Sequence, residues 1–250
     1  GRNIRVAVID TGVDAQHPDL SGRVELGGNY VDTSAATLRN DRHGTQVAGL
    51  IAAAANNGIG IVGIAPEVKL LAFKACWHDV AANAGRCNSF TLAQALVGAI
   101  DAGVDIINLS LIGPADPLLA ALVDKAVGAG MIVVGAAGRD LDAHAFPAGL
   151  PQVLAVAEAE AERADPRLLR APGRDLVTLV PEGHYDFASG ASLATAQVSG
   201  VIALLLARNH RLRTPDVLRI LQASTQARQT SRGPLKSINA CAARSLLLDQ

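Results

Sequence analysis

Short continuous apolar runs, each closed by a turn and followed by a helix-forming stretch, constrain this chain more than any other feature. Arg5-Val6-Ala7-Val8-Ile9 is the first run. Val68 to Ala75, Val104 to Leu109, Met131 to Val134, Val153 to Val156 and Leu176 to Val180 repeat it. Runs of this kind are strands covered on both faces, because neither face alternates with water. Helical stretches fall between them: His43 to Ala55, Ser89-Phe90-Thr91 to about Ala102, Asp116-Pro117 to about Ala129, Val201 to Ala207, and Thr214-Pro215-Asp216 to about Ser224. Proline just inside a helix start is favoured there. The alternation predicts an α/β fold: a three-layer arrangement with a mostly parallel central sheet and helices on both faces, joined by right-handed crossovers. One further short strand is expected around Gly28 to Val31. Leu176 to Val180 is expected to be the last strand before Ser189, and Asn56-Asn57-Gly58 to end the preceding helix.

Residues 1–250 read as one domain, with no internal repeat, linker or low-complexity tract. Half the residues are hydrophobic but only 3% are aromatic, so Ala, Val, Ile and Leu must build the core. A formal net charge of −1, with no long run of one sign, points away from nucleic acid and from anionic membranes. No apolar run reaches the ~18–20 residues that span a bilayer. Gly1-Arg2-Asn3 leads straight into the first strand, so no signal peptide is read; a mature fragment or a trimmed chain fits, and neither implies the cytosol.

Cys76 and Cys87 bracket a segment rich in turn formers, Trp77 to Arg86. This spacing predicts a disulfide closing a surface loop, which implies an oxidising compartment; two unrelated thiols are the alternative. Cys241 is left over. No C-x-x-C or matching His pair supports metal binding.

Three polar positions carry the candidate chemistry. Asp10 closes the first strand, next to Thr11 and Gly12, at the edge where ligand chemistry gathers in open parallel sheets. His43 opens a helix rich in small residues. Ser192 lies in Ser189-Gly190-Ala191-Ser192-Leu193-Ala194-Thr195, which runs into the apolar stretch Val201 to Ala207. A serine at a buried helix start sits where free N–H groups and the helix dipole favour negative charge. Taken alone, it could equally be a helix cap. With an acid and a base, it makes up the three parts of nucleophilic acyl transfer, and the chain order Asp, His, Ser is one of the known solutions.

Val8-Ile9-Asp10-Thr11-Gly12-Val13, with His17-Pro18-Asp19-Leu20, resembles the aspartate motif of the subtilisin-like serine proteases. His43-Gly44-Thr45-Gln46-Val47-Ala48-Gly49 and the loop Asn56 to Pro66 are similar to their histidine motif. The Ser189–Thr195 stretch is similar to their serine motif, and the likeness runs from about Val6 to Ser224. The resemblance implies a serine endopeptidase acting on extended polypeptides. Asp10 would orient His43, His43 would act as base and acid, and Ser192 would be the nucleophile. Ser110, Leu111, Ile112 and Gly113 would form the edge on which a peptide pairs as an added strand. Ala137 and Gly138 would form the other pocket wall. No cofactor is implied. A prodomain or protein inhibitor is the protein partner that the family suggests, and secreted, periplasmic or cell-envelope location is its habit.

The chain departs from the family pattern in several places; Ala191, Ala196 and Gln197, in place of the commoner Thr, Pro and His of the serine motif, adjust helix entry and packing. Arg139 stands where the family usually has the Asn that completes the oxyanion hole with the Ser192 region; arginine carries five donors and a fixed charge. It would serve as a charged donor, turn away and leave a slow enzyme, or block the pocket. Ile112 replaces a common Gly and should narrow the pocket toward small or slim residues. Many relatives also have a longer N-terminal segment supplying a calcium ligand; the rest would match Asp19, the Asn57 side chain and carbonyls of the Ala55–Ile61 loop. With one arm missing, a weak or empty site is expected. The alternative to a protease is a catalytically silent domain binding peptide along Ser110–Gly113. A nucleotide-binding domain lacks its glycine motifs.

Overall fold

The computed structural model describes residues 1–32, 34, 41–79, 81, 84–138, 145–160, 165, 167–230 and 233–248. The chain opens with β1 (Arg5–Asp10), a 3-10 turn (Pro18–Leu20) and β2 (Val24–Asn29). Helix α1 (Arg42–Ala52), β3 (Lys69–Lys74) and a hairpin of β4 (Cys76–Asp79) and β5 (Ala84–Cys87) follow. Then come α2 (Ser89–Asp101), β6 (Ile106–Leu109), α3 (Pro117–Gly128), β7 (Ile132–Ala136), β8 (Leu154–Glu158) and β9 (Leu169–Ala171). The last part holds the hairpin β10 (Leu176–Val180) and β11 (His184–Ala188), then α4 (Ala191–Leu206) and α5 (Thr214–Ala223). The hairpin β12 (Gln226–Thr230) and β13 (Gly233–Ser237) and helix α6 (Ala240–Leu248) complete it.

Seven strands form one sheet in the order β2-β3-β1-β6-β7-β8-β9, and every neighbouring pair is parallel. Alternate residues of each strand feed opposite layers. Val6, Val8, Leu70 and Ile106 pack with α1, α4 and α5, while Ala7, Ile9, Leu71 and Ile107 pack with α2 and α3. This is the three-layer α/β fold expected from the runs. Fully burying an aliphatic side chain stabilises by about 1.5–3 kcal/mol, so the two layers supply the bulk of the cohesion mainly from aliphatic side chains, joined in the second layer by the buried Phe73 and Phe146.

The strand order places β1 between β3 and β6. The chain moves to one side of β1 to make β3 and to the other to make β6, so the order reverses there. Ligands bind at such a switch point, beyond the carboxyl ends of the strands. Asp10 is the last residue of β1.

Several expectations are corrected. The strand expected at Gly28–Val31 is Val24–Asn29, with a register shift between Leu26 and Gly28. Helix α1 stops at Ala52, before Asn56-Asn57-Gly58; Asn56 (φ 61°) and Gly58 (φ 76°) instead turn the loop beyond it. Leu176–Val180 is not the last strand before Ser189, because β11 follows and pairs with it antiparallel, apart from the main sheet. The surface loop expected between Cys76 and Cys87 is closed by the disulfide, and its described ends pair as an antiparallel hairpin. Helix α2 begins at Ser89 and is capped by Asn88, whose side chain accepts the Thr91 N–H at 2.9 Å.

Candidate active site

His43 and Ser192 are both second residues of helices, α1 and α4, which lie side by side on one face of the sheet. Both helices start at the sheet's carboxyl edge, so His43 reaches Asp10 at the end of β1 and Ser192 reaches Ser110 just beyond β6. Asp10, His43 and Ser192 line one cleft of about 900 Å³, together with Ser110, Leu111, Ile112 and Gly113. The hairpin β4–β5 supplies another wall through His78, Gly85, Arg86 and Cys87.

Asp10 Oδ1 lies 2.7 Å from His43 Nδ1 and also accepts the Thr11 N–H at 2.7 Å. An ionised carboxylate only accepts, so Nδ1 carries the proton and the neutral ring keeps its lone pair on Nε2. Asp10 is 4% exposed, and the Asp10 carboxylate beside it is the main cause that raises the His43 pKa; burial opposes this and the hydrogen bond adds to it. Gly44 explains how the helix comes this close. A Cβ there would stand 2.0 Å from the Gly12 carbonyl oxygen, so only glycine allows the contact.

Ser192 does not cap α4; the N-cap is Gly190, at φ 153°. Its hydroxyl donates to the Ser110 carbonyl at 2.9 Å, and the Ser110 hydroxyl donates to the Ser192 carbonyl at 2.9 Å. Below them, Asn108 Nδ2 donates to Ser110 Oγ and Ser199 Oγ donates to Asn108 Oδ1, both at 2.9 Å. This buried chain ties the end of β6 to α4. Sequence reasoning missed Asn108 and Ser199; Asn108 in an otherwise apolar strand was the available signal.

Among the described residues, the main-chain groups of Leu111 and Ile112 have no partner, whereas both groups of Gly113 pair with Phe146. The Ile112 side chain is half exposed at the cleft. Ala137 is buried, and neither it nor Gly138 is among the residues lining the cleft. Arg139 lies outside the described residues. Cys76 and Cys87 form a disulfide across facing positions of the hairpin.

The residues expected around a calcium ion are committed otherwise. Asp19 is fully buried; Oδ1 accepts from Asn57 Nδ2 at 2.6 Å, and Oδ2 from the Ile61 N–H at 3.0 Å and the Tyr185 hydroxyl at 3.1 Å. Gly60 (φ +51°) gives the room: a Cβ would meet Asp19 Oδ2 at 2.1 Å and the Tyr185 hydroxyl at 2.2 Å. Calcium needs six to eight oxygen ligands. Here donors point at both carboxylate oxygens, and among the described residues no three His, Cys, Asp or Glu side chains cluster to hold a metal. Asp19 and Asn57 are thus bonded to each other, and Asp19 also to Ile61 and Tyr185, rather than turned toward an ion. His17 belongs to the same node: Nδ1 accepts the Asp19 N–H, so Nε2 donates to the His184 carbonyl, both at 3.1 Å.

A carboxylate–imidazole pair and a helix-start serine in one cleft, at the switch point of a parallel sheet, is the arrangement of a serine hydrolase. The model of the Subtilase family, Peptidase_S8, matches residues 1–238, and the chain belongs to that family of serine endopeptidases. It is 38% identical over 224 residues to "Intracellular serine protease" of Paenibacillus polymyxa, covering 82% of this chain and 67% of that protein. Subtilisin E of Bacillus subtilis (strain 168) is 36% identical over 224 residues, covering 84% of this chain and 57% of its own length. The crystal structure of fervidolysin from Fervidobacterium pennivorans, described as a keratinolytic enzyme related to subtilisin, matches with a TM-score of 0.84 at 28% identity. That match covers 98% of this chain and 42% of fervidolysin. The chain thus spans between two fifths and two thirds of the length of these three proteins.

Proposed function

We propose that this chain, residues 1–250 as one peptidase domain, cleaves peptide bonds of extended polypeptides through an acyl-enzyme on Ser192. The observation that carries this is the 2.7 Å contact of His43 Nδ1 with buried Asp10, in the cleft that Ser192 lines. The contact leaves Nε2 free to take the Ser192 proton once the hydroxyl turns from the Ser110 carbonyl. Attack on the substrate carbonyl forms a C–O bond and places negative charge on oxygen. The Ser192 N–H, at a helix start without an intrahelical partner, is one donor for it. The position of the family's second donor holds Arg139 in place of Asn, and on this reading the arginine turns away and leaves a slow enzyme. His43 then returns the proton to the leaving amine. The substrate chain lies along Leu111 and Ile112, whose free main-chain groups suit strand pairing, and Ile112 restricts the neighbouring subsite to small or slim residues.

Fluorophosphonate labelling tests the reading. Labelling of the parent and none of Ser192→Ala is expected. Failure of the folded parent to label would favour the silent peptide-binding domain, which the Ser192–Ser110 bond and the replacement at Arg139 support. The domain works without calcium, with Asp19 held by protein donors. Its place is an oxidising compartment, secreted, periplasmic or in the cell envelope, because a disulfide closes the cleft wall. The Paenibacillus polymyxa relative is named intracellular, so thiol alkylation of Cys76 and Cys87 in the native protein is the deciding measurement. A prodomain or protein inhibitor would occupy the same cleft.

A further inference from the structure

Lys74 is the last residue of β3 and lies in register with Asp10 of β1. Its side chain is 3% exposed. The ammonium donates to the Thr11 carbonyl and to Asp41 Oδ2. Thr11 follows Asp10, and Asp41 stands two residues before His43. One buried cation thus ties the turn after the acid to the start of the helix that bears the base.

Asp41 sits at the N-cap of α1, yet its side chain makes no capping bond. An aspartate there ordinarily accepts an N–H of the first turn; this one is committed to Lys74. The same two segments interlock further. The Gly44 N–H donates to Thr11 Oγ1 at 3.2 Å, and Thr45 Oγ1 donates to the Asp41 carbonyl at 2.7 Å while accepting the Asp14 N–H at 2.9 Å.

Each buried charge needs the other, since either alone would carry a large desolvation cost. Burial pushes the Asp41 carboxyl up, Lys74 opposes this, and the Asp10 and Asp32 charges add to it. The neighbouring elements contribute Asp10 from β1, Arg42 and His43 from α1, Asp32 beyond β2, and His78 and Arg86 from the hairpin. Arg42 is held by Asp186 and Arg86 by Asp79, both at the surface. Glu25 of β2 pairs with Lys69 at the other end of β3, and Asp101 of α2 acts on Tyr30.

We propose that the Lys74–Asp41 ion pair is a positioning device for the Asp10–His43 pair. It fixes the two segments that carry them and cancels the charge that Lys74 would otherwise place beside Asp10. Without the Asp41 charge, the Lys74 ammonium competes with His43 for Asp10 and disfavours the imidazolium. Only the rate readout rests on the protease reading.

The test compares the parent with Asp41→Asn and with Asp41→Asn/Lys74→Met, which removes both charges. The His43 imidazole titration is followed by NMR, and fluorophosphonate labelling gives the rate. Asp41→Asn is expected to lower the His43 midpoint by about one unit. The double variant is expected to return it to the parent value while labelling roughly tenfold more slowly, because the tie is lost. An unchanged midpoint in Asp41→Asn, or parent-rate labelling in the double variant, would overturn the proposal. Should Asp41→Asn not fold, the double variant decides by its rate alone. A parent that titrates as described but does not label would instead overturn the protease reading, leaving the His43 midpoints to decide this one.

Discussion

Ser110 and Ser192 bond to each other twice, hydroxyl to carbonyl in each direction and at 2.9 Å both times. The pair therefore does two jobs. The Ser110 hydroxyl holds the first turn of α4 against the end of β6, and the Ser110 carbonyl holds the Ser192 hydroxyl, which the proposed mechanism requires to turn toward His43. Ser110→Ala keeps the carbonyl but deletes the hydroxyl, leaving the buried Asn108 amide without its acceptor. An unsatisfied buried group costs about 1–3 kcal/mol. Urea unfolding should show a loss of that size, with slower labelling of Ser192.

The pH dependence follows from His43. Asp10 chiefly raises its pKa, and a base works only when unprotonated. The labelling rate should therefore rise with pH through a midpoint above the ordinary histidine value of about 6.5. The stability linkage has the opposite slope: the stabilisation from the charged pair is full below the unfolded pKa and is lost as pH rises through the folded value. Asp10→Asn removes the main cause, so the midpoint should move to lower pH. The rate should fall by roughly 10⁴, a size borrowed from trypsin and subtilisin themselves. A rate profile that does not move would separate His43 from the chemistry.

The Asp19 node predicts how the fold responds to chelators. Both Asp19 oxygens accept from protein donors, and burial, then Asp19, push the Tyr185 phenol up, keeping its proton. The melting temperature should be unchanged by EDTA. Tyr185→Phe, which leaves Oδ2 one donor short, should lower stability by about 1–2 kcal/mol. A melting temperature that drops in EDTA would show a bound cation.

Arg139 is tested by restoring the family's usual residue. Arg139→Asn should raise kcat by at least about tenfold with KM within about twofold, since loss of this donor costs ~10²–10³ in subtilisin, the source of that figure. A fall in kcat would identify the guanidinium as a working donor.

The sequence reads most clearly where burial is complete on both faces. Val6 to Ile9 and Ile106 to Leu109 could only be interior strands, and each ends at a site residue. It reads poorly where main-chain pairing alone makes the strand. His184–Ala188 is largely exposed, and Gln226–Thr230 is mostly polar, so neither offers an apolar run to find. Leu169–Ala171 is too short for one. Asp10, His43 and Ser192 were legible through their motifs, but the Lys74–Asp41 tie was not. Lys74 closes an apolar run as any surface lysine would, and Asp41 looks like an ordinary cap; only the packing of β3 under α1 joins them.

The bridged hairpin has a consequence for how this cleft can be altered. Cys76 comes directly after β3 and its neighbour Ala75, and Cys87 directly before the cap of α2, with their Cα atoms 4.3 Å apart. The disulfide therefore makes a covalent short cut from sheet to helix that bypasses residues 77–86. The described part of that segment is a side branch, bonded at its root, and its His78, Gly85 and Arg86 line the cleft. A change in its length or charge should therefore alter the cleft wall while the covalent link from sheet to helix is kept.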